Sequence, residues 1–461
     1  MIKKKILLFG MIGLGLTSAE VDLKEFKLHG EGWVDIGRMG RSSDSLIFNG
    51  STNSFSSVNM NISGTNFESY GAQFSAIADF SSHLEGEFGF GGYRATHSLG
   101  TTNGSYGPEY IAISLTKNFL TSARLTYYQG EKASPNFSAT IGDFAYDYNP
   151  DVKNLGLYLL RGPVYPGILM GGFQDFSIDS TKSTMMGIHL HQSLGVFSHD
   201  LIFKNEYDLP PTFDWSLGYI AKVKTSEAFQ IGAGINFYRL IPYDSKLETP
   251  GNLGFLDTAR YYDTTGSNGD RSKWVLLSHQ GIKAMGMFTF DINKILQIKS
   301  LGPNDLKLYG EAAIIGLKNY GNVYSKMSER IPVMLGFNLP VFGLLDFFSI
   351  EGEWYGAKYR NDLGNIGNLN GVADWTTQNR PVPSPLPVPG PYQDSTADNI
   401  KWSVNAEKKF LGHIALQAQV ANDHYRPRPI SSGYITAAGG TAEAFTNPRD
   451  WYAMFRTTYF F

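Results

Sequence analysis

Cysteine is absent from all 461 residues. That excludes a disulfide framework and thiolate metal sites, and leaves stability to hydrogen bonding and packing. Charge is also scarce: Asp, Glu, Lys and Arg make up 18% of the chain and the net charge is −3. Such a balance supplies no basic surface for nucleic acid. Beyond the first residues no apolar run is long enough for a membrane helix. A phosphate-cradling glycine loop, a zinc motif and a nucleophile elbow are missing too. The stretch Gly86-Glu-Phe-Gly-Phe-Gly-Gly92 alternates as a strand and lacks the helix that dinucleotide binding needs. No cofactor is implied and no metal site is assigned.

What the chain does have is glycine, 51 residues of it, and aromatic residues at 14%. Glycine-rich, aromatic-rich and charge-poor is the composition expected where strands alternate between lipid and a crowded lumen. The C-terminal segment Trp451–Phe461 alternates in this way. One face carries Tyr459, Thr457, Phe455, Ala453 and Trp451, and the other Phe460, Thr458, Arg456, Met454 and Tyr452. Soluble proteins seldom end on an exposed apolar strand, because its edge invites pairing with other chains. At the other end, Lys3–Lys5 precede the apolar stretch Ile6–Leu16 and the small residues Thr17-Ser18-Ala19. This is the pattern of a cleaved secretory signal over 1–19, leaving 20–461 as a single domain. Loss of the three lysines takes the net charge to about −6.

Period-two alternation recurs along the rest of the chain. From Phe26, the outward set is Phe26, Leu28, Gly30, Gly32, Val34 and Ile36; the inward set is Lys27, His29, Glu31, Trp33 and Asp35. Strands are expected at 25–38, 66–80, 84–94, 108–118, 121–130, 137–146, 166–176, 184–193 and 197–207. The others are 213–223, 228–240, 275–292, 305–318, 328–338, 346–359, 398–408, 412–424 and 449–461. Short connections such as Ser81–His83, Asn118–Thr121 and Ser193–Val196 alternate with long ones near 39–65, 95–107, 241–274, 360–397 and 422–448. The expectation is an all-β transmembrane antiparallel barrel of about eighteen strands, with sixteen left open. Short turns and both termini are periplasmic, and the long loops extracellular. One segment departs from the strand period: Asn149-Pro150-Asp151 precedes Val152–Leu160, read as a short capped helix at the periplasmic end. The proline run 381–391 cannot form wall and is read as an external loop in extended conformation.

Candidate chemistry is limited. His191-Gln-Ser193 resembles the His-x-Ser pairing of outer-membrane phospholipases and lipid A deacylases, in which histidine is the base for serine. Leu194 stands where that motif has asparagine, and the pair faces inward at the periplasmic turn, so no enzymatic activity is assigned. His189 and His191 share a face, but no third and fourth metal donor is apparent. Inward positions supply pore-lining candidates: Lys27, Glu31, Trp33, Asp35, Glu85, Glu87, Arg124, Lys222, Glu351 and Glu353. Inward Trp33, Tyr128, Tyr238, Tyr309 and Tyr355 could stack on sugar rings, or the tyrosines be girdle residues assigned to the wrong face.

In its terminal strand, hairpin rhythm and loop asymmetry the chain resembles Gram-negative outer-membrane porins. The resemblance implies a diffusion channel for small hydrophilic solutes, with a non-channel surface adhesin or loop-displaying scaffold as the alternative. It implies outer-membrane lipid and the barrel-assembly machinery as partners, with Tyr459 and Phe461 as the assembly signal. Homo-oligomerisation is left open.

Overall fold

The computed structural model describes residues 25–42, 45–48, 58–61, 63–104, 107–160, 183–206, 213–242, 258–262, 274–278, 281–317, 327–356, 399–425, 445 and 447–461. The expected signal at 1–19, the strand expected at 166–176 and the proline run at 381–391 lie outside the described residues.

Alternation builds the wall. Strand β1 (Glu25–Arg41) exposes Phe26, Leu28, Val34 and Ile36, while Trp33, Asp35 and Met39 are buried. A period-two sequence is satisfied by a sheet whose two faces differ, and closing that sheet removes its unpaired edges. The chain continues through β2 (Ser45–Phe48), β3 (Val58–Asn61), β4 (Asn66–Asp79), β5 (Leu84–Gly104), β6 (Gly107–Gln129) and β7 (Phe137–Tyr146). Then come β8 (Ser183–Leu194), β9 (Phe197–Glu206), β10 (Asp214–Lys224), β11 (Phe229–Ile241), β12 (Thr258–Tyr262), β13 (Trp274–Ser278) and β14 (Gly281–Asp291). A short helix α1 (Ile292–Leu296) leads to β15 (Lys307–Ile315), β16 (Pro332–Asn338), β17 (Phe347–Tyr355), β18 (Ile400–Phe410), β19 (Ile414–Asn422) and β20 (Trp451–Phe460).

Sixteen of these strands close into one antiparallel barrel, in the order β1-β20-β19-β18-β17-β16-β15-β14-β11-β10-β9-β8-β7-β6-β5-β4. The pairs β2–β3 and β12–β13 are separate hairpins within long connections. The last strand seals the first, from Glu31↔Phe460 to Arg41↔Trp451. Backbone bonds between Gly30 and Phe461 in both directions complete the seam. Short connections gather at the end that holds this seam, and the longer ones at the other.

The count is the lower of the two expected, and its causes are local. The strands expected at 108–118 and 121–130 are one strand, β6. Asn118–Thr121 is no turn: Leu120 pairs with Phe90 and Ser122 with Gly89, leaving Thr121 as the extra residue of a bulge. At the 166–176 position the wall needs no strand, because β7 pairs directly with β8 from Phe137↔Gln192 to Tyr146↔Ser183. The two miscounts cancel in direction, so strands from β8 onward run as expected. The connection expected near 95–107 is mostly wall extension, with β5 and β6 paired up to Gly104↔Gly107. The segment 275–292 is divided between β13, which pairs with β12, and β14 of the barrel.

Gly89 makes the bulge possible. A Cβ there would stand 2.3 Å from Thr121 Oγ1 and 3.2 Å from the Phe74 carbonyl oxygen. Gly89→Val is therefore expected to cost about 1–3 kcal/mol, read as a lower urea midpoint for unfolding of the reconstituted barrel. An unchanged midpoint would show that the bulge tolerates a side chain.

Candidate functional site

After Tyr146 the chain does not pass over the rim but turns into the barrel. Tyr148, Val152, Leu155, Leu157, Tyr158, Leu159 and Leu160 are all buried, none more than 6% exposed. They pack on inward side chains that include Ile202, Ile220, Tyr238, Met285, Tyr309 and Met334. The result is an apolar core inside the lumen, placed against the β8–β17 arc. Since β7 runs away from the seam end, the segment enters from the long-loop end. That corrects the expected position at the terminus end; the error came from splitting β6, which reversed the direction assigned to β7.

The expected helix over 152–160 does not form. Gly156 and Leu157 have φ of 86° and 59°, and two consecutive left-handed residues interrupt any right-handed helix. All that remains of the cap is a turn in which the Val152 N–H donates to the Asn149 carbonyl at 3.1 Å. The backbone donors are instead satisfied by carboxylates of the wall. Glu351 accepts from the backbone N–H groups of Lys153, Asn154 and Leu155 at 2.5, 2.8 and 2.9 Å, and from the Tyr309 hydroxyl at 2.9 Å. Glu311 accepts from the N–H groups of Leu157 and Tyr158 at 3.1 and 2.8 Å, and from the Tyr148 hydroxyl at 2.7 Å.

Side chains complete the attachment. Asn154 Nδ2 donates to Ser403 Oγ and Asp423 Oδ2, both at 2.8 Å. Tyr158 donates to Glu353 at 2.9 Å, and the Tyr158 carbonyl accepts from Lys283 Nζ at 3.1 Å. The Leu159 carbonyl accepts from Asn236 at 3.1 Å. Lys153 itself sits 4.8 Å over the Phe347 ring, and burial pushes its ammonium below the usual lysine range against the pull of Asp151 and Glu351.

The arc formed by β20, β1, β4, β5 and β6 differs. Away from the seam, its inner side chains form ion pairs that stay in reach of solvent. Arg124 pairs with Glu87, their side chains 31% and 14% exposed, and Ser122 donates to the same carboxylate at 2.8 Å. Lys132, in the β6–β7 connection, bridges Asp79 and Glu85. Burial works against its charge, but the two carboxylates outweigh that and hold its ammonium above the usual range. Tyr128 donates to Glu85 at 3.2 Å, and Gln73 to Glu31 at 2.8 Å. At the seam Asp35 accepts from Arg456 Nε at 2.5 Å and Nη2 at 2.9 Å, and from Ser69 at 2.6 Å.

The expected pore-lining residues thus fall into three environments. Glu31, Glu85, Glu87 and Arg124 lie on the more accessible arc, and Lys27 pairs with Glu25 at its exposed rim. Trp33 and Asp35 are on the same arc but buried. Glu351 and Glu353 lie beneath the inserted segment, 0% and 4% exposed, and Lys222 is on β10 in the field of Asp200 and Asp147. Tyr238, Tyr309 and Tyr355 point inward as alternation required, yet the segment covers their faces, so none is presented to a passing sugar. Alternation also placed Arg456 and Glu311 inward, but their partners are distant in sequence and no local signal marked them. Asn154 gave no signal at all.

The two histidines share a single acceptor. His189 Nε2 and His191 Nδ1 lie 2.8 and 2.9 Å from Asp200 Oδ1. Ser193 sits opposite Ser198 in the register. Among the described residues no group of three or more His, Asp or Glu is arranged to hold a metal ion.

No family model and no curated protein matches the chain. Among solved structures it is similar to a variant of Rhodopseudomonas blastica porin at TM-score 0.40 and 8% identity, over 95% of this chain and 100% of that one. A triple mutant of the same porin has the same values. A structure described as showing asymmetric conductivity of engineered proteins reaches TM-score 0.38 at 8% identity, with the same coverage. The fold of this chain, a closed sixteen-stranded antiparallel barrel, is established by its own strand pairing.

Proposed function

We propose that the chain is an outer-membrane, porin-like channel for passive diffusion of small hydrophilic solutes, with its termini periplasmic and its long loops outside. The observation that carries this reading is the division of the inner wall. One arc holds a latched segment over buried carboxylates, and the other keeps solvent-accessible ion pairs such as Glu87–Arg124. A solute would pass between the segment and the charged arc, where alternating signs give weak selectivity rather than a filter. The exterior supports a lipid environment, since Phe26, Leu28, Ile36, Phe88, Ile141 and Phe455 all face outward and exposed. Tyr459 and Phe461, on the exposed face of the last strand, are the residues we assign to recognition by the assembly machinery.

Planar-bilayer recording tests the reading. Purified barrel is expected to give discrete conductance steps, with a small cation preference under a salt gradient. Glu87→Lys is expected to move the reversal potential toward anions. A heat-modifiable, folded protein that gives no steps would remove the channel reading. Cell binding lost on deletion of 360–397 and 422–448 would then favour a surface scaffold.

A further inference from the structure

At the seam end of the barrel, three neighbouring connections are tied into one surface. They are the β14–β15 connection with α1, the β16–β17 turn and the β18–β19 turn. Asp305, fully buried, accepts from the backbone N–H groups of Gly302 at 2.9 Å and Phe342 at 3.1 Å, one from each of the first two. Asn304 Nδ2 adds a bond to the Asp346 carbonyl at 3.2 Å. The Asp346 carboxylate in turn accepts from the Lys409 N–H at 2.7 Å, beside the third. Carboxylates set between the connections thus fasten them side by side.

What this surface displays is apolar. Ile295, Leu296, Ile298, Phe342, Leu344 and Leu411 are 41–91% exposed. Elsewhere at the same end the turns are mostly polar, as at Ser81–His83, 131–136 and Thr225–Glu227; Leu194 and Val196 form a smaller apolar turn apart from it. The surface is continuous with the outer wall. Lys408 lies on the outward face of β18, opposite Leu416, and its Nζ donates to the Gly343 carbonyl at 2.9 Å. The β16–β17 turn therefore lies toward the outside of the barrel. Phe410, exposed on the same wall, leads directly into Leu411. The carboxylates of these connections are engaged, since Asp291 caps α1 while Asp305 and Asp346 hold the turns. The exposed charges are Lys294 and Lys299, which bracket the run Ile295-Leu-Gln-Ile298.

We infer that this apolar skirt is sunk in the periplasmic leaflet, with Lys294 and Lys299 at the headgroups of anionic phospholipid. The inference rests on the outer-membrane reading above but not on conduction. Apolar side chains bracketed by lysine suit an interface, where hydrocarbon takes the former and phosphate the latter. The skirt gives the barrel one side that reaches further into that leaflet than the polar turns opposite do. A soluble periplasmic partner would leave the outward lean of the β16–β17 turn unexplained, because that lean carries Phe342 and Leu344 toward lipid.

The chain contains no cysteine, so single cysteines can report position. Leu296→Cys, Leu344→Cys and Leu411→Cys are each labelled with an environment-sensitive fluorophore. The full-length barrels are folded into liposomes of phosphatidylcholine and phosphatidylglycerol, and heat-modifiable migration shows that each is closed. Ile350→Cys on the outer wall and Ser82→Cys in a polar turn serve as references. The three skirt labels are expected to be quenched by nitroxide on lipid chains, as the label at 350 is. They are expected to be shielded from aqueous iodide, which quenches the label at 82. Nitroxide carried by phosphatidylglycerol should quench the label at 296 more than nitroxide on phosphatidylcholine, through an enrichment of roughly fivefold per lysine. Lys294→Gln combined with Lys299→Gln is expected to abolish that preference. Iodide quenching at 296, 344 and 411 with the label at 350 shielded overturns the proposal and leaves the surface to a soluble partner. Shielding from both quenchers overturns it too, because a second copy then covers the skirt. Equal quenching by the two lipids while both lysines are present overturns the assignment of an anionic lipid. If the label at 350 is also open to iodide, the outer-membrane reading fails and the inference with it.

Discussion

Glu351→Ala is expected to yield a barrel that still assembles but no longer holds its inserted segment. One buried carboxylate receives three successive backbone N–H groups and the Tyr309 hydroxyl. Removing it leaves all four donors without an acceptor in a low-dielectric interior. Charge-assisted hydrogen bonds of this kind contribute about 1.5–3 kcal/mol each, and the unpaired donors add a desolvation penalty. Even with water entering the gap, the loss is expected to exceed about 3 kcal/mol, which outweighs the apolar contacts of any one segment residue. The segment should then leave the lumen for part of the time, raising conductance about twofold or more, as widening a water-filled barrel does. Glu351→Gln should act in the same direction, because its amide NH₂ faces donors rather than accepting from them. Single-channel recording and limited proteolysis at 148–160 check this together. Wild-type conductance with an uncut segment in Glu351→Ala would show that the apolar core alone anchors it.

The second large effect is expected at the seam. Asp35 and Arg456 lie 421 residues apart in sequence and are 0% and 6% exposed, and their bidentate pair joins the first strand to the last. Breaking a buried pair by removing one partner typically costs about 3–5 kcal/mol, because the remaining charge is stranded. Arg456→Met is therefore expected to lower barrel stability by about that amount in urea unfolding from liposomes. It should also reduce the fraction of heat-modifiable, closed barrel. The double replacement Asp35→Leu with Arg456→Met should recover most of the loss, since no charge is left unpaired. If the double variant is as unstable as the single one, the pair does not act as a unit and the seam is held by backbone bonds alone.

Much of this architecture is legible in the amino-acid order, for a reason visible in β1. Its alternation separates Phe26, Leu28, Val34 and Ile36 from Trp33 and Asp35, and a one-residue slip would turn every one of them over. Strand identity and face are local properties, so they can be read without knowing the partners. The bulge at Thr121 was not legible, because the opposing Gly89 that accommodates it belongs to another strand. The stretch Asn118-Phe-Leu-Thr121, polar at both ends, resembles a turn until its pairing is known. The inserted segment was misread for a similar reason. Helical spacing of Leu155, Tyr158 and Leu159 describes an apolar face, and an irregular segment packed in a lumen needs such a face as much as a helix does.

Glu351 and Glu353 make the same point about the site. Alternation placed both inside, and both are inside. Whether an inward carboxylate meets water or a backbone depends on which distant segment comes to lie over it, and that segment is some two hundred residues earlier in the chain. Period-two patterning thus determined by itself that this chain forms strands with unlike faces and that its last strand is wall. Only the tertiary structure decided how many strands close the barrel, which arc of the lumen is covered, and which carboxylates act as latches. The physical reason is range: face preference is decided between neighbours two residues apart, whereas closure, insertion and charge pairing join residues whose only proximity is the one the fold creates.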